Sequence, residues 1–296
     1  MHWHILGPGS IGCLWAAHLN AAGHQTTLIV RNAQRLQTFP SQITLEQDHQ
    51  TSQHPVQLEL AESPSVIHNL LVTTKAYDVQ PALEGVVDRL APQANIVLLH
   101  NGMGPQQWAT ERFRTQRVWL ATSTDGAWLR SPGHVVFAGQ GETRIGRIDQ
   151  PEDSSLIEAL ATMRLRTLHD NQIEQSLWRK LAINCAINPL TAVHQCRNGE
   201  LVDNPDRLAE MTVICEEMDL LLQKLNLPLF DQGLLPVATQ VAQATGANYS
   251  SMLQDVRQKR RTEIDYISGF ACQQARKNAL ALNNTERLLN KLKKIC

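Results

Sequence analysis

The stretch His2-Trp3-His4-Ile5-Leu6-Gly7-Pro8-Gly9-Ser10-Ile11-Gly12, continued by Leu14, Trp15, Ala17 and Leu19, decides the fold. A short apolar run leads directly into Gly-x-Gly-x-x-Gly, and the glycines open a segment whose apolar residues recur at helix spacing. The motif alone is weak; its place between a strand and a helix gives it weight. In that setting Gly7 permits the tight turn, Gly9 lets backbone approach a pyrophosphate, and Gly12 allows close helix-to-strand packing. Pro8, Ser10 and Ile11 complete the turn, and the helix N-terminus faces the phosphates. The alternative is a glycine turn with no ligand.

Outward from this unit, short apolar runs alternate with helical patterns at Thr26 to Val30, Asn69 to Thr74, Asn95 to Leu99 and Val118 to Thr122. That alternation predicts a parallel, doubly wound Rossmann-type sheet in an α/β domain. Between Ser41 and Leu60, the alternation of Ile43, Leu45, Val56, Leu58 and Leu60 predicts the strands of an added hairpin. Val135 to Phe137 and Thr143 to Ile148, around Gly139 and Gly141, read as a second, antiparallel hairpin closing the sheet. Leu156 to Leu165 reads as the last helix and strand. From about Ile173 the period becomes helical, through Leu177, Leu181 and Ala182 to Met211, Ile214, Met218, Leu221, Leu222 and Leu225. The expected organisation is a nucleotide-binding domain over 1–168 and an all-α domain over 169–296, with a ligand cleft between them.

Hydrophobic residues make up 43% of the 296, charged residues 19%, and the net charge is −1. This balance gives no electrostatic case for a nucleic-acid partner. The six cysteines (Cys13, Cys185, Cys196, Cys215, Cys272, Cys296) show neither a Cys-x-x-Cys pair nor zinc-ligand spacing, so reduced thiols and no metal are expected. Met1 to Leu6 runs straight into the glycine turn without a leader pattern, and no apolar run is long enough for a membrane span. The expected compartment is the cytoplasm, and the expected state a monomer or homodimer.

An NAD-selective site carries an acid at the end of its second strand, ~20 residues beyond the glycines. Here no Asp or Glu precedes Glu46, and Arg31 stands at that point. A guanidinium can pair bidentately with a 2′-phosphate, with Asn32 adding a hydrogen bond, so NADPH is the expected cofactor. An ordinary surface arginine is the other reading.

Ligands of doubly wound sheets lie beyond the carboxyl ends of the strands. Lys75 and Asn101 follow two of the apolar runs, and the Gly-x-Gly after Asn101 permits close approach, though either residue would also suit a plain loop. In the second half, Lys180, Asn184 and Asn188 share one helix face at ~6 Å intervals, placing an ammonium and two amides on one wall. A solvent-facing polar stripe is the alternative. Ser251, followed by Met252, Leu253 and Gln254, reads as a capping box at a helix start suited to a carboxylate. An unbroken helix would leave Ser251 and Glu263 ~18 Å apart, so a break near Lys259 to Arg261 is expected.

These segments resemble the ketopantoate reductase family over nearly the whole chain. The resemblance rests on the glycine motif, His100-Asn101-Gly102-Met103-Gly104, Leu177-Trp178-Arg179-Lys180-Leu181-Ala182-Ile183-Asn184, Asn188-Pro189-Leu190-Thr191-Ala192, Asn198-Gly199-Glu200, Ser250 to Asp255 and Thr262-Glu263-Ile264-Asp265-Tyr266. It implies NADPH-dependent reduction of 2-dehydropantoate to pantoate, a step of pantothenate and coenzyme A biosynthesis. It also implies Lys180 as proton donor, and Asn184, Asn188, Asn198 and the Ser251 segment as holders of the 2-oxo acid. Lys75, Asn101, Ala127 and Glu263 are implied at the cofactor and reacting centre. Pro8 and Asp125-Gly126 depart from the family pattern. A related dehydrogenase acting on 3-hydroxy acids or phosphorylated polyols, or an NADPH-sensing protein without turnover, would use similar architecture.

Arg31→Ala should lower the preference for NADPH over NADH. Comparison of both cofactor affinities tests this, and an unchanged ratio removes Arg31 from cofactor selection.

Overall fold

The computed structural model describes residues 1–295; Cys296 lies outside the described residues. The chain divides into two compact units, one of Met1–His100 with Pro105–Glu174, the other of Asn101–Gly104 with the chain from Gln175 onward.

In chain order the first unit runs β1 (His2–Leu6), α1 (Ser10–Ala21), β2 (Gln25–Ile29), α2 (Ala33–Thr38), β3 (Gln42–Gln47), β4 (Gln50–Pro55), β5 (Gln57–Glu59), β6 (Ile67–Val72), α3 (Ala76–Glu84) and, after a 3-10 turn at Val87–Arg89, β7 (Leu90–Leu98). It continues with α4 (Pro105–Arg112), β8 (Arg117–Ser123), β9 (Gly126–Ser131), β10 (His134–Gly139), β11 (Thr143–Gly146), α5 (Ser155–Ala159) and β12 (Thr167–His169). Eight strands form one sheet in the order β12-β11-β8-β7-β6-β1-β2-β5, and four form another in the order β4-β3-β10-β9. β5 through β8 are parallel to one another, β11 runs antiparallel to β8, and β12 lies beside β11. The central strands are buried on both faces, which explains their near-continuous apolar runs.

Two expected pairings differ. Thr143 to Gly146 does not pair with Val135 to Phe137: β10 folds back on β9, and β11 joins β8 in the large sheet. The reason is the Ser131-Pro132-Gly133 turn, where Gly133 takes φ +74°, which an L side chain rarely adopts. The Asp125 carboxylate then holds the crossover, accepting hydrogen bonds from Ser123 Oγ at 2.8 Å, Gly141 N at 2.9 Å and Thr143 Oγ1 at 3.2 Å. Likewise, the hairpin partner of β3 is the polar Gln50–Pro55, while Leu58 lies on β5, at the edge of the large sheet beside β2. Neither strand was separable from the next by alternation, because both pass through short polar turns. The strand expected by Leu165 falls at Thr167–His169.

The second unit is helical: most of α6 (Ile173–His194), then α7 (Glu200–Asp203), α8 (Pro205–Lys224), α9 (Leu234–Ala244), α10 (Ser251–Arg257), a 3-10 turn at Ile264–Tyr266, α11 (Ser268–Lys277) and α12 (Asn283–Lys293). Two carboxylates of α8 cap its neighbours. Glu217 accepts from Asn284 N at 2.7 Å and Thr285 N at 2.8 Å, and Asp219 accepts from Leu234 N at 3.0 Å. Each places negative charge at the positive end of a helix and satisfies amides that would otherwise be unpaired.

Two histidines of the first unit sit in its interior. His4 on β1 is 1% exposed and neither ring nitrogen has a hydrogen-bond partner; His18 on α1 is 4% exposed and packs edge-on against Phe137. Burial pushes both down to about 4 from the ordinary 6.5. Between those values the unfolded chain binds more protons than the folded one, so stability is full above 6.5 and falls as pH drops toward 4. The loss should reach roughly 2 kcal/mol per ring. Urea midpoints from neutral to acid pH check this, and His18→Leu should flatten the slope.

Candidate active site

In the first unit the glycine turn is built against β6. Gly7 takes φ +92°, and a Cβ there would stand 2.7 Å from Thr74 N. A Cβ on Gly12 would stand 2.3 Å from the Gly7 carbonyl oxygen and 2.6 Å from Thr73 Oγ1. Thr73 completes the frame by donating its hydroxyl to the Gly7 carbonyl at 2.7 Å and its backbone N–H to Leu6 O at 2.9 Å. Gly9 differs. A Cβ there would meet only the Gly7 carbonyl oxygen, at 4.0 Å, so the space in front of it is open. Gly9 is also the N-cap of α1, which has neither a side-chain cap nor an acid in its first turn. An open glycine cradle before uncapped amides fits a pyrophosphate.

Four other residues expected at the cofactor, Arg31, Asn32, Lys75 and Ala127, belong to the same unit. Arg31 is exposed beyond the end of β2, and Asn32 spends its side-chain oxygen on capping α2, accepting from Arg35 N at 2.9 Å. Arg35, exposed in the first turn of α2, is a second guanidinium that the sequence reading missed. Lys75 is the N-cap residue of α3, directly beyond β6. Ala127 pairs with Phe137 across the small sheet and packs against the core of the unit. Asp125 serves the fold in the crossover described above.

Lys180, Asn101 and Glu263 all fall in the second unit. Met103 N donates to Tyr266 O at 2.8 Å, and Gly102, at φ +77°, leaves no room for a side chain: a Cβ would lie 2.6 Å from that same carbonyl oxygen. Glu263, 4% exposed, opens the 3-10 turn, its carbonyl accepting from Tyr266 N at 3.0 Å and Ile267 N at 3.1 Å. Phe270 lies beside Gly104 and against the Trp178 ring, 5.6 Å between centroids. Through these contacts the Asn101 loop, the Glu263 turn and the Lys180 helix meet. The expected break is present: α10 ends at Arg257 and Lys259 takes φ +53°.

Lys180, Asn184 and Asn188 are half-buried along α6. Thr191 ties the end of that row to α10: its hydroxyl lies 2.9 Å from the Asn188 carbonyl and 2.7 Å from Ser250 Oγ. The cap of α10 is Ser250, not Ser251. Its hydroxyl accepts from Leu253 N at 3.1 Å, while Gln254 Nε2 reaches back to Tyr249 O at 3.2 Å. The spacing from Ser251 to Gln254 points to Ser251, and burial decides otherwise, since Ser250 is enclosed and Ser251 exposed. Met252 and Leu253 are core side chains, so only the exposed Ser251 and Gln254 offer polar groups outward. Asn198 is 8% exposed; Nδ2 donates to Thr245 Oγ1 at 2.9 Å, but Oδ1 is buried without a partner. A buried acceptor left unmatched is costly unless a ligand supplies the donor.

The family model described as ketopantoate reductase PanE/ApbA matches residues 3–150, and its C-terminal counterpart matches 172–295. The chain belongs to the ketopantoate reductase family. A 2-dehydropantoate 2-reductase of Vibrio cholerae is 37% identical across 98% of this chain and 96% of that protein. The crystal structure of a probable 2-dehydropantoate 2-reductase from Bacillus subtilis superposes with a TM-score of 0.86 at 26% identity, over 100% of both chains. A ternary structure of D-mandelate dehydrogenase with NADH and anilino(oxo)acetate superposes with a TM-score of 0.91 at 20% identity, covering 100% of this chain and 98% of that one, and shows the shared fold. Like those folds, this ketopantoate reductase family member pairs a nucleotide-type sheet with a helical unit, and among its described residues no group of His, Cys, Asp and Glu could hold a metal ion. No described helix is long and apolar enough to cross a membrane.

Gly102→Ala should force the Asn101 loop away from Tyr266 and lower turnover tenfold or more, an order-of-magnitude figure for misplaced reacting groups. Steady-state rates with a parallel thermal melt check it: a drop in turnover with little change in melting locates the fault in the loop.

Proposed function

We propose that the chain reduces 2-dehydropantoate to pantoate with NADPH, Lys180 serving as proton donor. The observation that carries this reading is the meeting of the Lys180 helix, the Asn101 loop and the Glu263 turn in a single unit, in a chain of the ketopantoate reductase family. The glycine cradle of the first unit supports a dinucleotide, and Arg31, with Arg35 nearby in sequence, supports a 2′-phosphate on it.

When bound, the nicotinamide supplies hydride to C2 of the ketone. Negative charge then gathers on the carbonyl oxygen, and the Lys180 ammonium neutralises it by giving up a proton. Asn101 and Glu263 orient the substrate and the lysine. Asn184 and Asn188, one and two turns further along the same helix, extend that wall toward the rest of the substrate. Asn198 Oδ1, lacking a donor of its own, suits the substrate's hydroxyl, and the outward polar groups of Ser251 and Gln254 suit its carboxylate. Lys75 and Ala127 fall on the cofactor's side. The substrate is a small 2-oxo acid, and neither nucleic acid nor membrane enters the proposal.

Lys180→Ala should lower kcat about 100-fold or more, equivalent to about 2.7 kcal/mol of transition-state stabilisation, while NADPH affinity stays nearly intact. NADPH oxidation with 2-dehydropantoate, set against its unbranched analogue, tests the substrate. Near-normal turnover in the variant removes Lys180 from the chemistry, and no preference for the branched acid removes 2-dehydropantoate as the intended substrate.

A further inference from the structure

Arg197 and Arg257 come from distant parts of the helical unit, yet both guanidinium groups lie against one ring, 5.3 Å and 4.1 Å from the centroid of Tyr249. Arg197, Tyr249 and Arg257 are all exposed. Neither arginine side chain forms an ion pair with a carboxylate among the described residues; Arg257 also donates to the Gln195 carbonyl, at 3.3 Å. The nearest acid, Glu200, is already engaged, accepting from the Arg197 backbone N–H at 2.7 Å and pairing with Arg207 at 3.6 Å. Glu200 is thus shared between the Arg197 backbone and the Arg207 side chain and neutralises neither guanidinium of the stack. Like charges repel, and exposed arginines ordinarily separate into solvent or find carboxylates. Here the tyrosine ring holds two of them together as a standing positive patch. Hydrogen bonds from Arg197 and Arg257 also hold the Tyr249 phenol below its usual range.

The patch is joined to the substrate half-site by backbone. Asn198 N donates to Asn248 O at 3.0 Å and Gly199 N to Gly246 O at 3.2 Å, so the segment carrying Arg197 and Asn198 is bound to the segment carrying Tyr249, Ser250 and Ser251. Two of the three stacked residues therefore stand close along the chain to residues assigned to substrate: Arg197 precedes Asn198, and Tyr249 stands two positions before Ser251.

Resting on the reductase reading above, we infer that Arg197 and Arg257, aligned by Tyr249, form an anion-attracting rim that captures the carboxylate of the 2-oxo acid before it settles in the Asn198 and Ser251 half-site. Such a rim acts on encounter. Its field raises the local concentration of an anionic substrate and discriminates against neutral ketones, and salt screens it over a Debye length of ~10 Å at about 0.1 M.

The test compares unmodified protein with the double variant Arg197→Gln, Arg257→Gln, using 2-dehydropantoate and its neutral methyl ester at ionic strengths of about 10 mM and about 300 mM. At low salt kcat/KM for the acid should fall about fivefold or more, through KM rather than kcat; at high salt the difference should shrink to less than twofold; the ester should show no difference. Arg197→Lys, Arg257→Lys should recover most of the loss, which a purely structural role of the stack would not allow. Equal losses for acid and ester, or a loss independent of salt, overturn the assignment. Failure of unmodified protein to reduce 2-dehydropantoate overturns the reductase reading instead; the rim is then judged by calorimetric binding of the same carboxylate, whose affinity either drops in the glutamine variant or does not.

Discussion

A single backbone hydrogen bond, from Met103 N to Tyr266 O at 2.8 Å, fixes the candidate chemistry of this protein in one place. The loop that follows β7 is a glycine-rich connection, and this bond ties it to the turn that Glu263 opens. Gly102 is what permits the bond, because any side chain there would strike the Tyr266 carbonyl. The same turn opens with Glu263, and Phe270 beyond it packs on Trp178, two residues before Lys180. One backbone contact contributes only about 1 kcal/mol to stability, but its consequence is positional. It keeps an amide, a carboxyl and an ammonium on a common support, and orientation is where enzymes gain much of their rate.

The first unit solves a different problem with the same economy of space. Its glycines at 7 and 12 exist because backbone, helix and the Thr73 hydroxyl approach too closely for a Cβ, whereas Gly9 faces open space. Two glycines serve packing, and the third leaves open space before the start of α1. Two charged side chains of this unit are consumed by structure. Arg89 donates to Glu59, Ser65 and the carbonyls of Leu60 and Ala61, fastening the chain beyond the short β5, and Asp125 closes the crossover from β8 to β9. Asp125 thus has a structural role, its carboxylate already spent on three donors.

Much of this was legible in the sequence, for identifiable reasons. The parallel strands read cleanly because both faces are buried and their apolar runs are continuous; β1 was bounded to the residue. The break after Arg257 was legible because a continuous helix would have carried Glu263 too far from Ser251. Elsewhere the sequence under-determined the answer. Short strands such as β5, at one edge, and β11, between β12 and β8, take partners that alternation does not reveal; for β11 the β9–β10 turn at Gly133 removes the expected one. The capping-box spacing from Ser251 to Gln254 points one residue too far along, and the enclosure of Ser250 beside Thr191 makes Ser250 the cap. Phe270 and Tyr266 left no local mark as supports of the Asn101 loop, since their role depends on residues more than 160 positions away. The stacking of Arg197 and Arg257 on Tyr249 was invisible for the same reason.

The central claim is that the Lys180 ammonium supplies the proton to the developing alkoxide. Its most direct test is the pH dependence of kcat/KM for 2-dehydropantoate, measured in unmodified protein and, at its residual rate, in Lys180→Ala. A lysine that must be protonated to act gives a rate that declines on the alkaline side, and the account predicts that this decline disappears with the side chain. An identical alkaline decline in both proteins would contradict the account and assign the proton to another group.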